Sequence, residues 1–164
     1  MSKNNIVECF IEIAKHSNLK YECVDGKLKL DRVLFGSMVY PHNYGYISDT
    51  LAEDGDPLDV VVLSNFSVTP GTYLDCKILG SLEMVDSGEQ DWKVIAIMDA
   101  DPRLKHINSL DDVPQHWIAE LRNFFESYKQ LENKKVSLGN FISLEFTLSL
   151  IEESKTRWRT QRGE

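Results

Sequence analysis

The stretch Asp54-Gly55-Asp56-Pro57-Leu58-Asp59-Val60-Val61-Val62-Leu63 joins an acidic turn directly to a short apolar run. A valine-rich run of this length is typical of a buried strand. Runs of the same character occur at residues 73–79 and 92–98. Nearer the N-terminus, Asp25-Gly26 separates residues 20–24 from residues 27–31 and suits a tight hairpin turn. Short strands divided by turns predict a small β-barrel.

The second half of the chain changes from a strand period to a helical period. After Pro114, which suits a first helical turn, apolar and aromatic side chains recur at three- and four-residue intervals. These side chains are Trp117, Leu121, Phe124, Phe125, Tyr128 and Leu131. A second amphipathic helix is predicted at about residues 143–159, with Leu144, Leu148 and Ile151 on one stripe. We expect this helix to pack on the barrel.

Composition and charge limit the classes of function. The length and the 42% hydrophobic content predict one globular domain over residues 1–164. The net charge of −8 opposes attraction to nucleic acid phosphates. The sequence shows neither a signal-peptide pattern nor an apolar run long enough to span a bilayer, so we expect a cytoplasmic protein. Cys9, Cys23 and Cys76 are widely spaced and odd in number, which predicts reduced thiols.

The acidic turn carries the strongest chemical signal, because three carboxylates, Asp54, Asp56 and Asp59, fall within six residues. Like charges this close raise one another's pKa unless a hard divalent cation takes the oxygens as ligands. A solvated acidic turn is the alternative, which the rigid Pro57 before a buried strand disfavours. An EF-hand loop is excluded, because its third ligand would be Leu58 and its required glycine would be Asp59.

A second acidic pair, Asp86 and Asp91, brackets a turn-rich stretch and precedes Lys93 on the next strand. A hairpin there would bring both carboxylates together, although Asp is also a normal turn residue. In the first hairpin, Lys20 and Glu22 share one face of their strand by the two-residue period. Further basic and phenolic candidates are Arg32, Lys129, Tyr40, Tyr44 and Tyr128. Taken singly, a residue of this kind is more often a surface charge or a core aromatic than a ligand.

Together these segments resemble the family I soluble inorganic pyrophosphatases of bacterial type. The family signature, Asp-x-Asp-Pro-x-Asp followed by an aliphatic residue, is met by residues 54–60. The other segments that resemble the family, in its order, are Lys20-Tyr21-Glu22, Asp31-Arg32, Tyr40-Pro41-His42-Asn43-Tyr44-Gly45-Tyr46, Asp86, Asp91-Trp92-Lys93 and Tyr128-Lys129. The resemblance runs from about Glu12 to about Glu132 and then fades. It implies an α+β, mainly β fold, a closed five-stranded barrel of the OB-fold type with flanking helices.

The resemblance also implies a reaction and a role for each candidate residue. The reaction is hydrolysis of pyrophosphate to two orthophosphates by in-line attack of a metal-activated water, without a covalent intermediate and with several Mg²⁺ ions per site. The implied metal ligands are Glu12, Asp54, Asp59, Asp86 and Asp91, and the implied general base is Asp56. The implied substrate ligands are Lys20, Arg32, Tyr44, Lys93, Tyr128 and Lys129, with Glu22 and Tyr40 in support. A homo-oligomer is implied, with a hexamer favoured.

The charges of the candidate site agree with a metal requirement. Seven carboxylates against four basic groups leave a net charge of −3, which repels pyrophosphate. Two Mg²⁺ ions would bring this charge to about +1, so the metal should be obligatory.

Two rival interpretations remain: a barrel that binds single-stranded nucleic acid, and a pyrophosphatase that has lost activity. A nucleic-acid-binding barrel would need a basic groove. An inactive pyrophosphatase would have apolar residues at some of the matched positions, and the sequence has none there.

Overall fold

A computed structural model of the chain describes residues 5–163. In chain order the elements are β1 (Ile6–Ile13), β2 (Leu19–Val24), β3 (Lys27–Val33), β4 (Asn43–Ile47), β5 (Asp59–Leu63), β6 (Tyr73–Asp86), β7 (Glu89–Gln90), β8 (Lys93–Met98), α1 (Gln115–Ser127), β9 (Val136–Ile142) and α2 (Leu144–Gln161). The predicted single domain extends to residues 1–4 and 164, which lie outside the described residues. Among the described residues, no helix is long and apolar enough to cross a membrane.

Five of these strands close into a barrel. β1 pairs antiparallel with β4 on one side and with β6 on the other. β4 then pairs antiparallel with β5, β5 pairs parallel with β8, and β8 pairs antiparallel with β6. The long strand β6 continues beyond the barrel, where it pairs with β7 and β9. This five-stranded closure with flanking helices confirms the predicted fold class.

Strand β5 is buried on both faces, which explains its continuous run of valines. Val60 and Val62 belong to an apolar cluster that draws residues from all five barrel strands and fills the barrel. Val61 and Leu63 belong to a second cluster, in which α1 packs against the outside of the barrel. The aromatic face of α1 dominates this second cluster, with Phe124 and Phe125 almost fully buried. The barrel strands are therefore packed against the apolar interior on one face and against α1 on the other.

The predicted hairpin and both helices are present, with one correction at the end of α1. Asp25 and Gly26 have φ angles of 51° and 76°, as a tight hairpin turn requires. Helix α1 follows Pro114 but ends at Ser127, so the helical period overestimates the helix by one turn. The predicted stripe residue Leu131 is 66% exposed and lies in a 3₁₀ turn, Gln130–Glu132, because the chain leaves helical geometry after position 128.

Helix α2 packs on the barrel, as predicted. Its N-cap is Ser143, whose hydroxyl accepts a hydrogen bond from the backbone N–H of Phe146. Its apolar stripe joins the cluster that fills the barrel, with Ile151 buried there. A buried hydrogen bond of 2.8 Å between the hydroxyls of Ser81 and Thr147 joins β6 to α2. Both apolar contact and a satisfied polar pair therefore fix the position of α2.

A buried histidine near the start of β4 gives the fold a dependence on pH. The ring centroid of His42 lies 4.7 Å from that of Trp117, and His42 Nδ1 accepts a hydrogen bond from the backbone N–H of Ser64. Burial, followed by the charge of Lys15, lowers the pKa of His42 to about 3. The ring is therefore neutral in the folded protein, whereas it takes up a proton below about pH 6.5 in the unfolded chain.

We expect the free energy of unfolding to fall as the pH is lowered from about 6.5 towards 3, because only the unfolded chain binds this proton. By pH 5 the loss from His42 amounts to about 2 kcal/mol. The variant His42→Asn keeps a side-chain acceptor for Ser64 and removes the titration. Urea unfolding of both proteins between pH 8 and pH 5 should show a shallower decline for the variant. Parallel declines would contradict this assignment.

Candidate active site

A cavity of about 450 Å³ opens between the barrel, the β2–β3 hairpin and the segment that follows α1. In the part of the chain that the structure describes, thirteen of the fourteen predicted site residues line it. They are Glu12, Lys20, Glu22, Tyr40, Tyr44, Asp54, Asp56, Asp59, Asp86, Asp91, Lys93, Tyr128 and Lys129. The remaining residue, Arg32, is outside this lining. Residues that are more than a hundred positions apart in sequence thus share one cavity.

Strand ends supply four of the charged lining residues. Glu12 lies near the end of β1, and Asp86 is the last residue of β6. Asp59 and Lys93 are the first residues of β5 and β8. These two strands are parallel, and their register pairs Asp59 directly with Lys93. Tyr128 follows α1 immediately, so the end of this helix delivers it to the cavity.

Lys93 is the most connected charged group of the cavity and is only 3% exposed. Its Nζ donates to the Tyr44 hydroxyl at 2.6 Å and to Asp59 Oδ2 at 2.9 Å, and it lies 3.1 Å from Asp91 Oδ2. Burial alone lowers the pKa of Lys93, but the neighbouring Asp59, Tyr44 and Asp91 raise it well above the ordinary value. Lys93 therefore remains an ammonium group although it is buried.

The acidic loop before β5 folds around its own backbone. The N–H of Asp56 donates to Asp54 Oδ1 at 2.9 Å, and the N–H of Ala52 donates to the Asp56 carbonyl at 2.7 Å. Gly55 between the two aspartates has a φ of 89°, a conformation that glycine adopts at little cost. Burial, followed by the charges of Asp54 and Asp59, raises the pKa of Asp56. The loop therefore holds its carboxylates close together despite their repulsion.

Two further carboxylates have specific partners. Asp86 accepts a hydrogen bond from Lys129 Nζ. Burial raises the pKa of Asp86, but the hydrogen bond and charge of Lys129 outweigh it, so the pKa is lowered overall. Glu12 Oε2 accepts a hydrogen bond of 2.9 Å from the backbone N–H of Cys23, which ties β1 to the hairpin. Burial nevertheless raises the pKa of Glu12 to about 7.

Arg32 is held by two carboxylates beside the cavity. Its Nη1 lies 2.6 Å from Asp31 Oδ2, and its Nε donates to Glu132 Oε2 at 3.2 Å. Asp31 also pairs with Lys20 Nζ at 3.4 Å. The guanidinium thus joins the hairpin to the segment after α1, and its expected role as a substrate ligand stays a prediction.

The cavity also contains charged and aromatic residues that the sequence analysis did not assign. Tyr46 lies two residues after Tyr44 on β4, so the strand period could have placed both side chains on one face. Lys134 reaches the cavity from the segment between the 3₁₀ turn and β9, and no local pattern marks it. Glu89 belongs to the short strand β7 in the turn after Asp86.

The donor chemistry of the cavity fits a hard divalent cation. Eight carboxylates and four lysines line it, which gives a formal charge of −4. Oxygen-only ligand sets of this kind suit Mg²⁺. Within residues 5–163, no three His, Cys, Asp or Glu side chains converge closely enough to hold one ion in this arrangement. Instead, the ammonium of Lys93 lies between Asp59 and Asp91 as their counter-ion.

Comparison with known proteins identifies the family of the chain. The model of the inorganic pyrophosphatase family matches residues 9–159. The inorganic pyrophosphatase of Halalkalibacterium halodurans is 48% identical over 156 residues, which cover 94% of this chain and 96% of that protein. That of Geobacillus stearothermophilus is 44% identical over 162 residues and 98% of both chains.

A solved structure shows the same fold. The crystal structure of the inorganic pyrophosphatase from Thermus thermophilus superimposes with a TM-score of 0.92 at 38% identity, over 97% of this chain and 94% of that one. Because the family match continues to residue 159, the expectation that the resemblance fades after Glu132 is wrong, and α2 belongs to the shared fold. The resemblance and the enzyme class expected from the motifs are confirmed: this chain belongs to the inorganic pyrophosphatase family.

Proposed function

We propose that this chain hydrolyses pyrophosphate to two orthophosphates by direct in-line attack of a metal-activated water, without a covalent intermediate. The observation that carries this proposal is the convergence of thirteen predicted site residues on one cavity in a member of this family. The formal charge of −4 at the cavity opposes the nucleic-acid alternative.

Several Mg²⁺ ions are the proposed cofactor. Their proposed ligands are Glu12, Asp54, Asp59, Asp86 and Asp91, all of which present oxygen to the cavity. When bound, Mg²⁺ supplies neutralisation of the substrate charge and activation of the attacking water. Because Asp59 and Asp91 now neutralise Lys93, an ion on these carboxylates would leave the ammonium available for an anion.

The basic and phenolic groups of the cavity are proposed to bind the two phosphate groups. Lys93, which remains charged, and Lys20 and Lys129 would contact phosphate oxygens together with the hydroxyl of Tyr44. Burial raises the pKa of Tyr128 to about 12, so its hydroxyl stays protonated near neutral pH and can donate a hydrogen bond. Phosphate bound to Arg32 would compete with its present carboxylate partners, Asp31 and Glu132.

Asp56 is the proposed general base, and two further residues are proposed to support the site. Asp56 is exposed to solvent, and its carboxylate makes no hydrogen bond with the described residues, which leaves it available to accept a proton from water.

The ring of Tyr40 lies 5.2 Å from that of Tyr44 and 6.3 Å from that of Tyr128, so it can hold both phenols in place. Glu22 lines the cavity and would orient its ligands.

Further proposals concern the whole protein. We propose that residues 1–164 form one domain, that the protein works in the cytoplasm, and that neither nucleic acid nor membrane is a partner. A homo-oligomer is proposed, with a hexamer favoured. Exposed aromatic side chains, including Phe35 and Tyr73 at 58% each, support self-association because they would lose water on contact.

We expect the purified protein to release phosphate from pyrophosphate in the presence of Mg²⁺ and to stop when excess chelator is added. Restoring Mg²⁺ should restore the rate, since no other catalytic cation is proposed. A colorimetric phosphate assay measures both steps. Release that persists in chelator would contradict the metal requirement, and no release in either condition would contradict the hydrolase proposal.

We expect Asp56→Asn to lower kcat by about 10²- to 10⁴-fold, the usual contribution of a general base. Because the Asp56 side chain is exposed, the thermal unfolding midpoint should stay close to that of the parent. Asp111→Asn is the matched control, since Asp111 is an exposed aspartate outside the cavity lining. Turnover by Asp56→Asn near the parent rate would exclude Asp56 as the base.

A further inference from the structure

Helix α2 holds the acidic loop at one residue, Leu51. The backbone N–H of Leu51 donates to the carbonyl of Ser154 at 3.0 Å. The backbone carbonyl of Leu51 accepts a hydrogen bond of 2.6 Å from Arg157 Nη1. Both backbone polar groups of this residue are thus bound by α2, and Asp54 follows only three positions later.

The rest of the loop depends on few other attachments. Thr50 donates its hydroxyl to the carbonyl of Ile47 at 2.6 Å and accepts the N–H of Leu58 at 3.0 Å, which closes the base of the loop. Beyond Leu51, the tip that contains Asp54 and Asp56 is exposed and bonds mainly to its own backbone. We therefore expect a shift of Leu51 to move the carboxylates of the tip.

Arg157 contacts the loop outside the lining of the main cavity. A small cavity of about 40 Å³ is lined both by residues of α2, including Arg157, and by residues of the loop and the start of β5, including Asp54 and Asp59. Arg157 is not part of the lining of the main cavity. Its guanidinium can therefore influence the proposed site only through the loop or through its charge.

We propose that Arg157 is a positioning residue that sets the Mg²⁺ affinity of the acidic loop by fixing Leu51. The inference rests on the proposed function, in which Asp54 and Asp59 hold Mg²⁺. A hydrogen bond from a charged donor to a backbone carbonyl is stronger than a neutral one, and it orders the segment that it contacts. Partners that orient metal ligands in this way commonly change metal affinity by about 10- to 100-fold when removed.

The sign of the effect separates positioning from charge. Removing a positive charge beside carboxylates should strengthen their attraction for Mg²⁺ if charge alone matters. Removing the support of Leu51 should weaken Mg²⁺ binding, because the loop must then be ordered as the ion binds. The two causes therefore predict opposite changes in the same dissociation constant.

The test is titration calorimetry of Mg²⁺ into the purified full chain, without substrate. Arg157→Met keeps much of the aliphatic stem and removes the donor, and it should weaken Mg²⁺ binding by about tenfold. Arg159→Met is the matched control, because Arg159 is exposed and its guanidinium bonds within α2 to Thr156. It should leave the dissociation constant unchanged within about twofold. Unchanged or tighter binding by Arg157→Met would overturn the inference.

Two further measurements distinguish failure of the positioning role of Arg157 from failure of the proposed metal site. Amide hydrogen exchange of residues 51–58 should be faster in Arg157→Met than in Arg159→Met, and equal rates would contradict a role in holding the loop. Asp59→Asn tests the proposed function itself, because loss of a ligand must weaken Mg²⁺ binding. If Asp59→Asn weakens binding and Arg157→Met does not, only the positioning role fails. If Asp59→Asn has no effect, the proposed metal site fails as well.

Discussion

The buried ammonium of Lys93 between Asp59 and Asp91 is the interaction on which the rest of the site depends. A buried charge is costly unless it is paired and hydrogen-bonded, and Lys93 satisfies both conditions with Asp59 and Tyr44. The parallel pairing of β5 with β8 sets the geometry, since it places Asp59 and Lys93 in register at the start of both strands. The parallel pairing of β5 with β8 and the ion pair between Asp59 and Lys93 therefore depend on each other.

The other residues that line the cavity around Lys93 come from the barrel, the β2–β3 hairpin and the segment after α1. The antiparallel contact between β1 and β6 completes the ring. The end of β1 pairs with β4, and β4 pairs with β5, so Glu12 lies on the same side of the barrel as Asp59. The hairpin and the segment after α1 then enclose the cavity, and Arg32 links these two through Asp31 and Glu132. Glu12, Asp59 and Asp86 are thus carried by the barrel sheet, whereas Asp54 and Asp56 lie in the acidic loop and several of the basic groups come from the surroundings of the sheet.

Local patterns predicted those parts of the structure that local energetics determine. The Asp25-Gly26 turn requires positive φ angles, and the buried strand β5 requires apolar residues on both faces, so both are visible in the sequence. The end of α1 was predicted wrongly, because the helical period of the aromatic residues continues into a segment whose backbone turns away. Lys134 and the position of Arg32 depend on long-range packing, which leaves no periodic trace in the sequence.

The contact between Arg157 and Leu51 joins residues that are 106 positions apart in the chain. During synthesis the barrel strands and the proposed metal ligands leave the ribosome well before α2, which occupies the last part of the chain. A nascent chain that ends before α2 already contains every carboxylate of the acidic loop but lacks the helix that holds it. The hydrogen bonds from α2 to Leu51 can therefore form only after α2 has been made, well after the acidic loop itself.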